Sequence, residues 1–414
     1  MPILFQPGSI VHGDFFFNRE ALVKELREGL SSIRQGARHD YALLGLRRTG
    51  KSSILYKVKD DLLREAPDVI VVYIDCEEIV ETPEAFVKGY IEKIFDAYLE
   101  RTELLRKVRL RLGRAAREGV SALASLLSHV REVGVKTLEE AVSLYVKLEE
   151  RKERVKDMRE QLVKCIDLPE NLAIETKSHL VVMLDEFQYL QRLKWFPSIK
   201  NIFEVFRSRM QEQRRTAYII SGSSISMMEM LLTRSNSPFF GQFIIKWVQE
   251  MPKYSAIEMV MDLGKKSGFD FDVNAVNKMI NFVGTHPYYL QALGYECCVN
   301  ALEKGETKIR PEIIEEAFKK CVLSPGGTLY DYLRYVYDLS LEMAKGGVLL
   351  KSVLKAMGTK EVQTPTGISK EVGRTTPVIQ KCLERLIEVD LVRKEENKYL
   401  IRDPLLAVWL KSRS

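Results

Sequence analysis

The sequence predicts an α/β fold with a parallel sheet, and three observations support that prediction. Apolar runs typical of buried parallel strands occur at 41–44, 69–74 and 180–184, and helical periodicity follows the first run. A glycine-rich loop, GLRRTGKSS, joins that first run to the helix. The third run ends in two acidic residues, Asp185 and Glu186. Strands that alternate with helices in this way favour a parallel sheet covered by helices on both faces.

The glycine-rich loop fits the phosphate-binding pattern G-x-x-x-x-G-K-[ST]. Its glycines let backbone N–H groups turn toward phosphate oxygens, and the helix that follows adds its positive N-terminal end. We expect Lys51 to reach the β and γ phosphates as a catalytic group, and Ser52 to ligate Mg²⁺. A chance glycine-rich turn before a lysine is the alternative, but the flanking strand and helix argue against it. The residues predicted to bind nucleotide in this loop are Gly45, Leu46, Arg47, Arg48, Thr49, Gly50, Lys51, Ser52 and Ser53.

The acidic pair supplies the second half of a nucleotide-hydrolase site. Asp185 is predicted to hold Mg²⁺ opposite Ser52, and Glu186 to polarise the attacking water as the catalytic base. A later strand, TAYIISGSS, carries Ser221 and Ser223 at its end. They are predicted to sense the γ phosphate if this strand neighbours the strand with the acids. The alternative is that these serines cap the next helix.

Bulk properties exclude several classes of protein. A chain of 414 residues predicts two or three domains. It has no uninterrupted apolar run long enough to span a bilayer, so no membrane partner is expected. Six cysteines without a CxxC pair, together with scarce histidine, argue against a zinc site or a disulfide scaffold and predict a cytoplasmic protein. A net charge of +6 permits nucleic acid as a partner without arguing strongly for it.

Three domains are predicted: 1–250 with the sheet, 251–326 as a small all-helical lid, and 327–414 at the C-terminus. Residues 100–178 are predicted to form a helical insertion into the first domain. Its arginine-rich stretch, 101–117, is interpreted as a solvated helix face, with contact to nucleic acid or to a protein partner as the alternative. The aromatic run at 15–17 is either core or, for one ring, a surface for a bound base.

The lid contains the sequence GTHP, in which Pro287 fits the first position of a helix. A loop at a helix start can close over a nucleotide, so Pro287 is predicted to line the nucleotide site. A simple turn between two helices is the alternative, and it needs no ligand.

The C-terminal domain is predicted to be a winged helix-turn-helix. A short helix in GISKEVGR and a longer one in TTPVIQKCLERLIEV precede two strands in LVRKEENKYLIRDP. Protein contact is the alternative use of such a module. The residues predicted to contact double-stranded DNA are Thr375, Thr376, Gln380, Lys381, Arg393, Lys394 and Lys398, with Arg385 on the same helix.

The motifs GxRRxGKSS, DEFQ, SGSS, GxHPYxLQ and YxIxDP, in this order, resemble the archaeal ATPase family. That family is similar to the signal-transduction NTPases with numerous domains (STAND) and, more distantly, to the AAA+ class and the origin-recognition ATPases. The resemblance implies ATP and Mg²⁺ as cofactors, and contacts from Thr285, His286 and Pro287 near the nucleotide. The chain departs from the pattern at Gln242, where such proteins often carry an arginine, and Arg234 is the substitute candidate for that arginine finger.

Two functions follow from this organisation. In the first, ATP and ADP bias different positions of the lid and move a DNA-binding winged helix, so the protein is a molecular switch. In the second, the protein is an interaction scaffold with a slow ATPase and no DNA binding. A small-molecule kinase shares only the phosphate loop, and the acidic pair and winged helix would serve no purpose in it.

Overall fold

The centre of the molecule is a five-stranded sheet in which every neighbouring pair of strands is parallel. The computed structural model describes residues 2–99, 136–149, 158–345, 347–360 and 363–413. The strands are β1 (Tyr41–Leu44), β2 (Val69–Asp75), β3 (His179–Asp185), β4 (Thr216–Gly222) and β5 (Ile244–Trp247). Their spatial order is β2-β3-β4-β1-β5. This confirms the predicted α/β fold and brings the ends of β1, β3 and β4 to one edge.

Helices cover both faces of the sheet, as expected for parallel strands that are apolar throughout. They are α1 (Glu20–Ser31), α2 (Lys51–Glu65), α3 (Cys76–Ile79), α4 (Pro83–Leu99), α5 (Lys136–Glu149), α6 (Met158–Thr176), α7 (Ile202–Glu212) and α8 (Ile225–Leu232). Buried residues of α1 and α2 share one core with alternate positions of β1 and β2. Residues of α4, α6 and α7 share the core on the opposite face. The sheet is therefore a middle layer held by two apolar cores.

The predicted helical insertion lies only partly within the described residues. Its helices α5 and α6 pack against α4, and α6 buries Leu162, Ile166 and Leu172 in the sheet core. Helix α6 is therefore one of the helices that cover the sheet. The arginine-rich stretch 101–117 falls outside the described residues, so a partner contact there stays a prediction.

The 251–326 segment is helical, with one departure from the expectation. It contains α9 (Lys253–Lys266), α10 (Val273–Val283), α11 (Pro287–Glu303) and α12 (Pro311–Phe318), followed by a π-helical turn, Lys319–Leu323. The segment is not all helical, because β6 (Asp270–Phe271) and β7 (Lys308–Ile309) form a two-residue parallel pair. Such short pairing has no periodic signature in the sequence, and it ties the two inter-helix connections together.

The C-terminal segment contains the predicted helix, turn, helix and hairpin. Its elements are α13 (Thr328–Met343), α14 (Val348–Thr359), α15 (Pro365–Val372), α16 (Thr376–Glu388), β8 (Val392–Glu395), β9 (Lys398–Ile401) and α17 (Pro404–Ser412). The two strands pair antiparallel. Trp409 of α17 is fully buried against Tyr330 and Tyr337 of α13. These residues belong to the same contiguous core as the helices of 251–326.

The N-terminal segment links the two parts of the molecule. Phe5 packs in the core of the 251–326 helices, and the backbone N–H of Gln6 donates to Gln291 Oε1 of α11 at 2.7 Å. A few residues on, the N–H of Val11 donates to Ser53 Oγ of α2 at 3.2 Å. The segment therefore runs across the front of the phosphate loop. In the part of the chain that is described, no helix combines the length and apolarity needed to traverse a bilayer.

Candidate functional site

The phosphate loop is shaped by two glycines with different roles. Gly50 adopts φ 97°, in the left-handed region that disfavours side chains, and ends the loop directly before α2. Gly45 lies directly against Val248, the residue that follows β5. A Cβ atom at position 45 would lie 2.2 Å from the carbonyl oxygen of Val248. Helix α2 begins at Lys51, as predicted, so its unpaired N–H groups face the loop.

Lys51 lies inside the loop and is almost completely buried. Its Nζ donates to the carbonyl oxygens of Gly45 at 2.9 Å and of Leu46 at 2.8 Å. Burial lowers the pKa of this ammonium, and the nearby carboxylates of Glu186 and Asp185 act in the opposite direction. The ammonium group therefore sits at the centre of the loop, opposite the acidic pair.

Asp185 is a buried carboxylate that accepts hydrogen bonds from three side-chain hydroxyl groups. Ser52 Oγ donates to its Oδ2 at 2.6 Å, and the Tyr73 hydroxyl donates to the same oxygen at 2.7 Å. Ser221 Oγ donates to Oδ1. The structure thus joins Ser52 and Asp185, the two residues predicted to hold a metal. Tyr73, which lies on the neighbouring strand, was not identified in the sequence.

Glu186 follows directly and adopts φ 50°, a left-handed conformation that is uncommon outside glycine. Its Oε2 accepts the Ser223 hydroxyl at 2.6 Å, the Ser223 N–H at 3.2 Å and Gln188 Nε2 at 2.5 Å. Ser221 and Ser223 therefore bond to the two acids rather than cap α8, whose N-cap residue is Ser224. This arrangement exists because β3 and β4 are neighbours in the sheet.

The donor set suits Mg²⁺ better than a metal that is held by a protein cage. Ser52 and Asp185 offer oxygen atoms, which magnesium prefers, and the ion completes its shell with phosphate oxygens and waters. Within the described residues, no group of three or more His, Cys, Asp or Glu residues is placed to hold a metal. Two protein oxygens beside a phosphate loop are the arrangement expected for a magnesium–nucleotide complex.

A cavity of about 330 Å³ opens in front of the loop. Its floor includes Lys51, Ser52 and Glu186, and one side is formed by Pro287, Tyr288 and Gln291 of α11. The remaining wall comes from Gln6 to Val11 and from Tyr332 and Tyr335 of α13. Sequence reasoning missed this wall because neither segment carries a recognisable motif.

The aromatic run at 15–17, which had been considered as a base-stacking surface, packs elsewhere. Phe15 and Phe17 contact the core of the 251–413 helices, and Phe16 contacts the core under α1. The structural interpretation of this run is therefore the correct one, and the aromatic rings that line the cavity are Tyr288, Tyr332 and Tyr335.

The GTHP stretch contacts the phosphate loop through its histidine. His286 is buried, and its Nε2 lies 3.1 Å from the carbonyl oxygen of Arg47. Burial lowers the pKa of this imidazole to about 3. Thr285 bonds instead to Glu250, with Oγ1 3.2 Å from Oε2. Of the three residues implied by the resemblance, Pro287 lines the cavity and His286 buttresses the loop.

A chain of contacts continues from His286 to the C-terminal segment. The imidazole stacks on Tyr289 at a centroid distance of 4.1 Å, and the Tyr289 hydroxyl donates to Asp403 Oδ2. Asp403 caps α17 by accepting the N–H of Leu405 at 2.9 Å. The Asp-Pro pair at 403–404, noted only as part of a family motif, is thus the start of a helix tied to the nucleotide site.

A second link joins the sheet to the hairpin. Ser224 Oγ donates to Asp390 Oδ2 at 2.9 Å, and the Ser226 N–H donates to Asp390 Oδ1 at 2.9 Å. Arg402 of the hairpin lies 3.5 Å from the same carboxylate. Asp390 lies in the turn between α16 and β8, so the C-terminal segment docks on the start of α8.

The residues predicted to contact DNA are exposed, apart from Thr376, which is half-buried. Thr375, Gln380 and Lys381 are exposed at the start of α16. In the hairpin, Arg393 pairs with Glu395 at 3.1 Å, and Lys394 lies over the ring of Tyr399. Arg385 is exposed as expected, but its guanidinium already has hydrogen-bond partners. That group donates to the carbonyl oxygens of Ala344 and Lys345, because the end of α13 lies within its reach.

The fold and the site define a nucleotide hydrolase with a phosphate loop. A model of a protein family described as an ATPase domain predominantly from Archaea matches residues 16–293. Because that match spans more than half of the chain, the protein belongs to this family of ATPases. No curated protein sequence matches the chain.

Solved structures extend the likeness to the whole chain. A Walker-type ATPase of Pyrococcus abyssi is 20% identical, with 99% of each chain covered and a TM-score of 0.64. The ORC2 protein of Aeropyrum pernix, solved as ADPNP–ADP complexes, is 11% identical, with 99% of this chain and 98% of that chain covered and a TM-score of 0.57. The ORC1 protein of Aeropyrum pernix, solved in complex with DNA, is 14% identical, with 98% and 95% covered and a TM-score of 0.50. At these low identities, the TM-scores and the coverage show a shared fold and no more.

Proposed function

We propose that the protein is a Mg²⁺-dependent ATP switch whose nucleotide state is passed to a C-terminal winged helix that binds duplex DNA. The main support for a switch is one observation about the loop that follows β4. Two consecutive residues of this loop contact the proposed catalytic acid and the C-terminal segment. Ser223 donates to Glu186, and Ser224 donates to Asp390. A shift of that loop at either contact therefore displaces the other.

In this mechanism the described residues divide the work of hydrolysis. The loop N–H groups and Lys51 bind the β and γ phosphates, for which Lys51 exchanges its present bonds to loop carbonyls. Ser52 and Asp185 would hold Mg²⁺, which would supply positive charge to offset that of the phosphates. Glu186 accepts a proton from the attacking water, so its bonds to Ser223 loosen as the acid turns to the water.

The C-terminal segment receives this change through two contacts. The first is Asp390, held by Ser224 and Ser226 beside the acidic pair. The second is Asp403, held by Tyr289 on the helix that forms a wall of the cavity. Both carboxylates belong to the segment 327–413, so lid position and loop position act on the same unit.

DNA contact is supported by the geometry of the exposed residues. Helix α16 follows α15 after a tight turn at Gly373, and the hairpin β8–β9 follows α16. Helix-turn-helix modules place the start of the second helix in the major groove, and basic residues of the wing meet phosphates. The ORC1 protein of similar fold was solved with DNA. The proposed DNA-facing residues are Thr375, Thr376, Gln380, Lys381, Arg393, Lys394 and Lys398.

The scaffold alternative is favoured by one observation, the internal pairing of Arg393 with Glu395, which reduces the positive charge of the wing. The two functions differ in what DNA does to the protein. In a switch that binds DNA, duplex DNA stimulates ATP hydrolysis, and binding weakens steeply as salt rises.

The test measures the ATPase rate with and without duplex DNA, and duplex binding at two salt concentrations. We expect stimulation in the wild type and its loss in the double variant Lys381→Glu, Arg393→Glu, which keeps its basal rate. An exposed pair outside the C-terminal segment, Lys24→Glu with Lys265→Glu, is the matched control for the change in net charge. Absence of both binding and stimulation in the wild type would establish the scaffold instead.

A further inference from the structure

The nucleotide cavity holds two arginines whose side chains have different surroundings. Among the described residues, Arg47 and Arg48 are the arginines that line it. The guanidinium of Arg48 lies 4.4 Å from the ring centroid of Tyr288 and 5.1 Å from that of Tyr332. Arg48 therefore makes cation–π contacts with two tyrosine rings on the helical side of the cavity.

Arg47 points to the other side of the cavity, where the acidic pair lies. Its guanidinium donates to the Tyr189 hydroxyl at 3.5 Å, a long hydrogen bond, and Tyr189 donates in turn to Glu77 at 2.6 Å. Burial acts to lower the pKa of this guanidinium, but Tyr189 and Glu186 act in the opposite direction and the pKa is raised. The guanidinium is one of the groups that lower the pKa of the Lys51 ammonium. It therefore points toward Tyr189 and Glu77, on one side of the cavity that Lys51 and Glu186 also line.

That location is where the γ phosphate is expected. Lys51 binds the β and γ phosphates, and Glu186 activates the water that attacks the γ phosphorus. Arg47 lines the same cavity as these two residues, so a γ phosphate bound there lies on the side to which its guanidinium points. Arginine presents five N–H donors, and the one long bond to Tyr189 leaves most of them available within the described contacts.

Proteins that resemble this chain often carry an arginine after the glycine at position 241, but this chain does not. Gln242 takes the position where an arginine often follows the glycine, and it does not line the cavity. Arg234 is exposed in a separate turn, also away from the cavity lining. The cavity within one chain thus already contains an arginine, Arg47, that is available for the role of an arginine finger.

We propose that Arg47 is a catalytic residue that contacts the γ phosphate in cis and stabilises the charge that develops during hydrolysis. In that step the water oxygen bonds to the γ phosphorus, and the bond from this phosphorus to the β–γ bridging oxygen breaks. Glu186 accepts the water proton, and ADP leaves with both bridge electrons. Arg47 only donates hydrogen bonds to phosphate oxygens. The proposal rests on ATP hydrolysis by this site, and it is independent of DNA binding.

The experiment compares Arg47→Ala and Arg47→Lys with the wild type. Arginine fingers raise kcat by about 10³-fold to 10⁵-fold, so we expect Arg47→Ala to lose at least about 10²-fold in kcat. Its affinity for ADP should stay within about 3-fold, whereas its affinity for ADP with aluminium fluoride falls by at least about 10²-fold, because only the transition state needs the contact. Arg47→Lys keeps the charge and should recover part of the rate. The exposed Arg214→Ala, at the opposite edge of the sheet, is the matched control.

Several results would overturn the proposal. One is a kcat for Arg47→Ala within about 3-fold of the wild type. Another is an equal loss of ADP and ADP–aluminium fluoride affinity, since that indicates a damaged loop. A third is a rate per chain that rises with protein concentration and collapses in Arg234→Ala, which places the finger on a second copy. If the wild type itself hydrolysed no ATP, the proposed function would fail first, so the two failures are distinguishable.

Discussion

Ser223 donates both its backbone N–H and its hydroxyl hydrogen to one oxygen of Glu186, at 3.2 and 2.6 Å. The two residues are 37 positions apart in the chain, and parallel pairing of β3 with β4 brings them together. The acid that we propose as the proton acceptor is thus held by the strand that leads to the C-terminal docking site. Catalysis and docking share one loop.

Glu186→Gln should bind ATP but hardly hydrolyse it. The amide oxygen can still accept from Ser223, so the loop keeps its shape, but the amide cannot accept a proton from water. We expect kcat to fall by about 10²-fold to 10⁴-fold with the ATP dissociation constant nearly unchanged, measured by steady-state kinetics and calorimetry. Normal turnover by this variant would refute Glu186 as the base.

Tyr73→Phe should lower the affinity of the ATPase for magnesium, so that a higher magnesium concentration is needed for half of the maximal rate. The lost hydroxyl donates to Asp185 Oδ2, the carboxylate proposed to hold the ion, and such supporting bonds are worth about 10-fold to 100-fold in metal affinity or activity. A magnesium titration of the rate measures this shift. Tyr56→Phe is the control, because its ring packs on Tyr73 at 4.5 Å and is retained. Equal titration curves for the two variants would exclude the role of Tyr73.

His286 should make the protein less stable in mild acid. Burial lowers its pKa to about 3 from the ordinary histidine value of 6.5. Between these values the unfolded chain binds a proton that the folded chain does not, so the stability from the neutral imidazole is complete above pH 6.5 and is lost as the pH falls. The slope is about 1.4 kcal/mol per pH unit for one proton.

This contribution is measured by chemical denaturation of the wild type and of His286→Gln. Each protein is measured at a pH about one unit above 6.5 and at a pH about one unit below it. The wild type should lose about 1 kcal/mol more than the variant over that interval. Equal losses in the two proteins would show that His286 is protonated in the folded state.

Asp390→Ala should separate the sheet from the C-terminal segment. The change removes the acceptor of Ser224 and of the Ser226 N–H, and because these donors are half-buried we expect a cost of about 1 kcal/mol. The basal ATPase rate should remain, and stimulation by DNA should disappear. Glu384→Ala, on the exposed side of α16, is the control. Undiminished stimulation in Asp390→Ala would show that the signal takes another route.

The sequence predicted the parts of the fold and site that depend on residues close together in the chain. Continuous apolar runs marked β1, β2 and β3, and the loop pattern placed Lys51 and Ser52 at the start of a helix. The acidic pair was found because it directly follows an apolar strand. In each case the evidence lies within about ten neighbouring residues.

The rest depends on partners that are distant in the chain. Asp390 bonds to a serine 166 residues away, and Tyr73 bonds to an aspartate 112 residues away. A single aspartate or tyrosine carries no periodic signal, so neither could be identified before the strand order was known. The hydrogen bonds of Arg385 could not be predicted for a related reason, because they depend on the position of α13.

The apolar core that continues from Phe5 through Trp409 has a consequence for how the protein can be divided and how it can move. A cut at 326 passes through continuous packing rather than a linker, so each fragment would present an uncovered apolar face to water and aggregate. Because of the same continuity, we expect the helices from α9 to α17 to move as one body if they move relative to the sheet. The short connection between β5 and α9 is then the expected hinge, and a small rotation there would displace the hairpin by a larger distance.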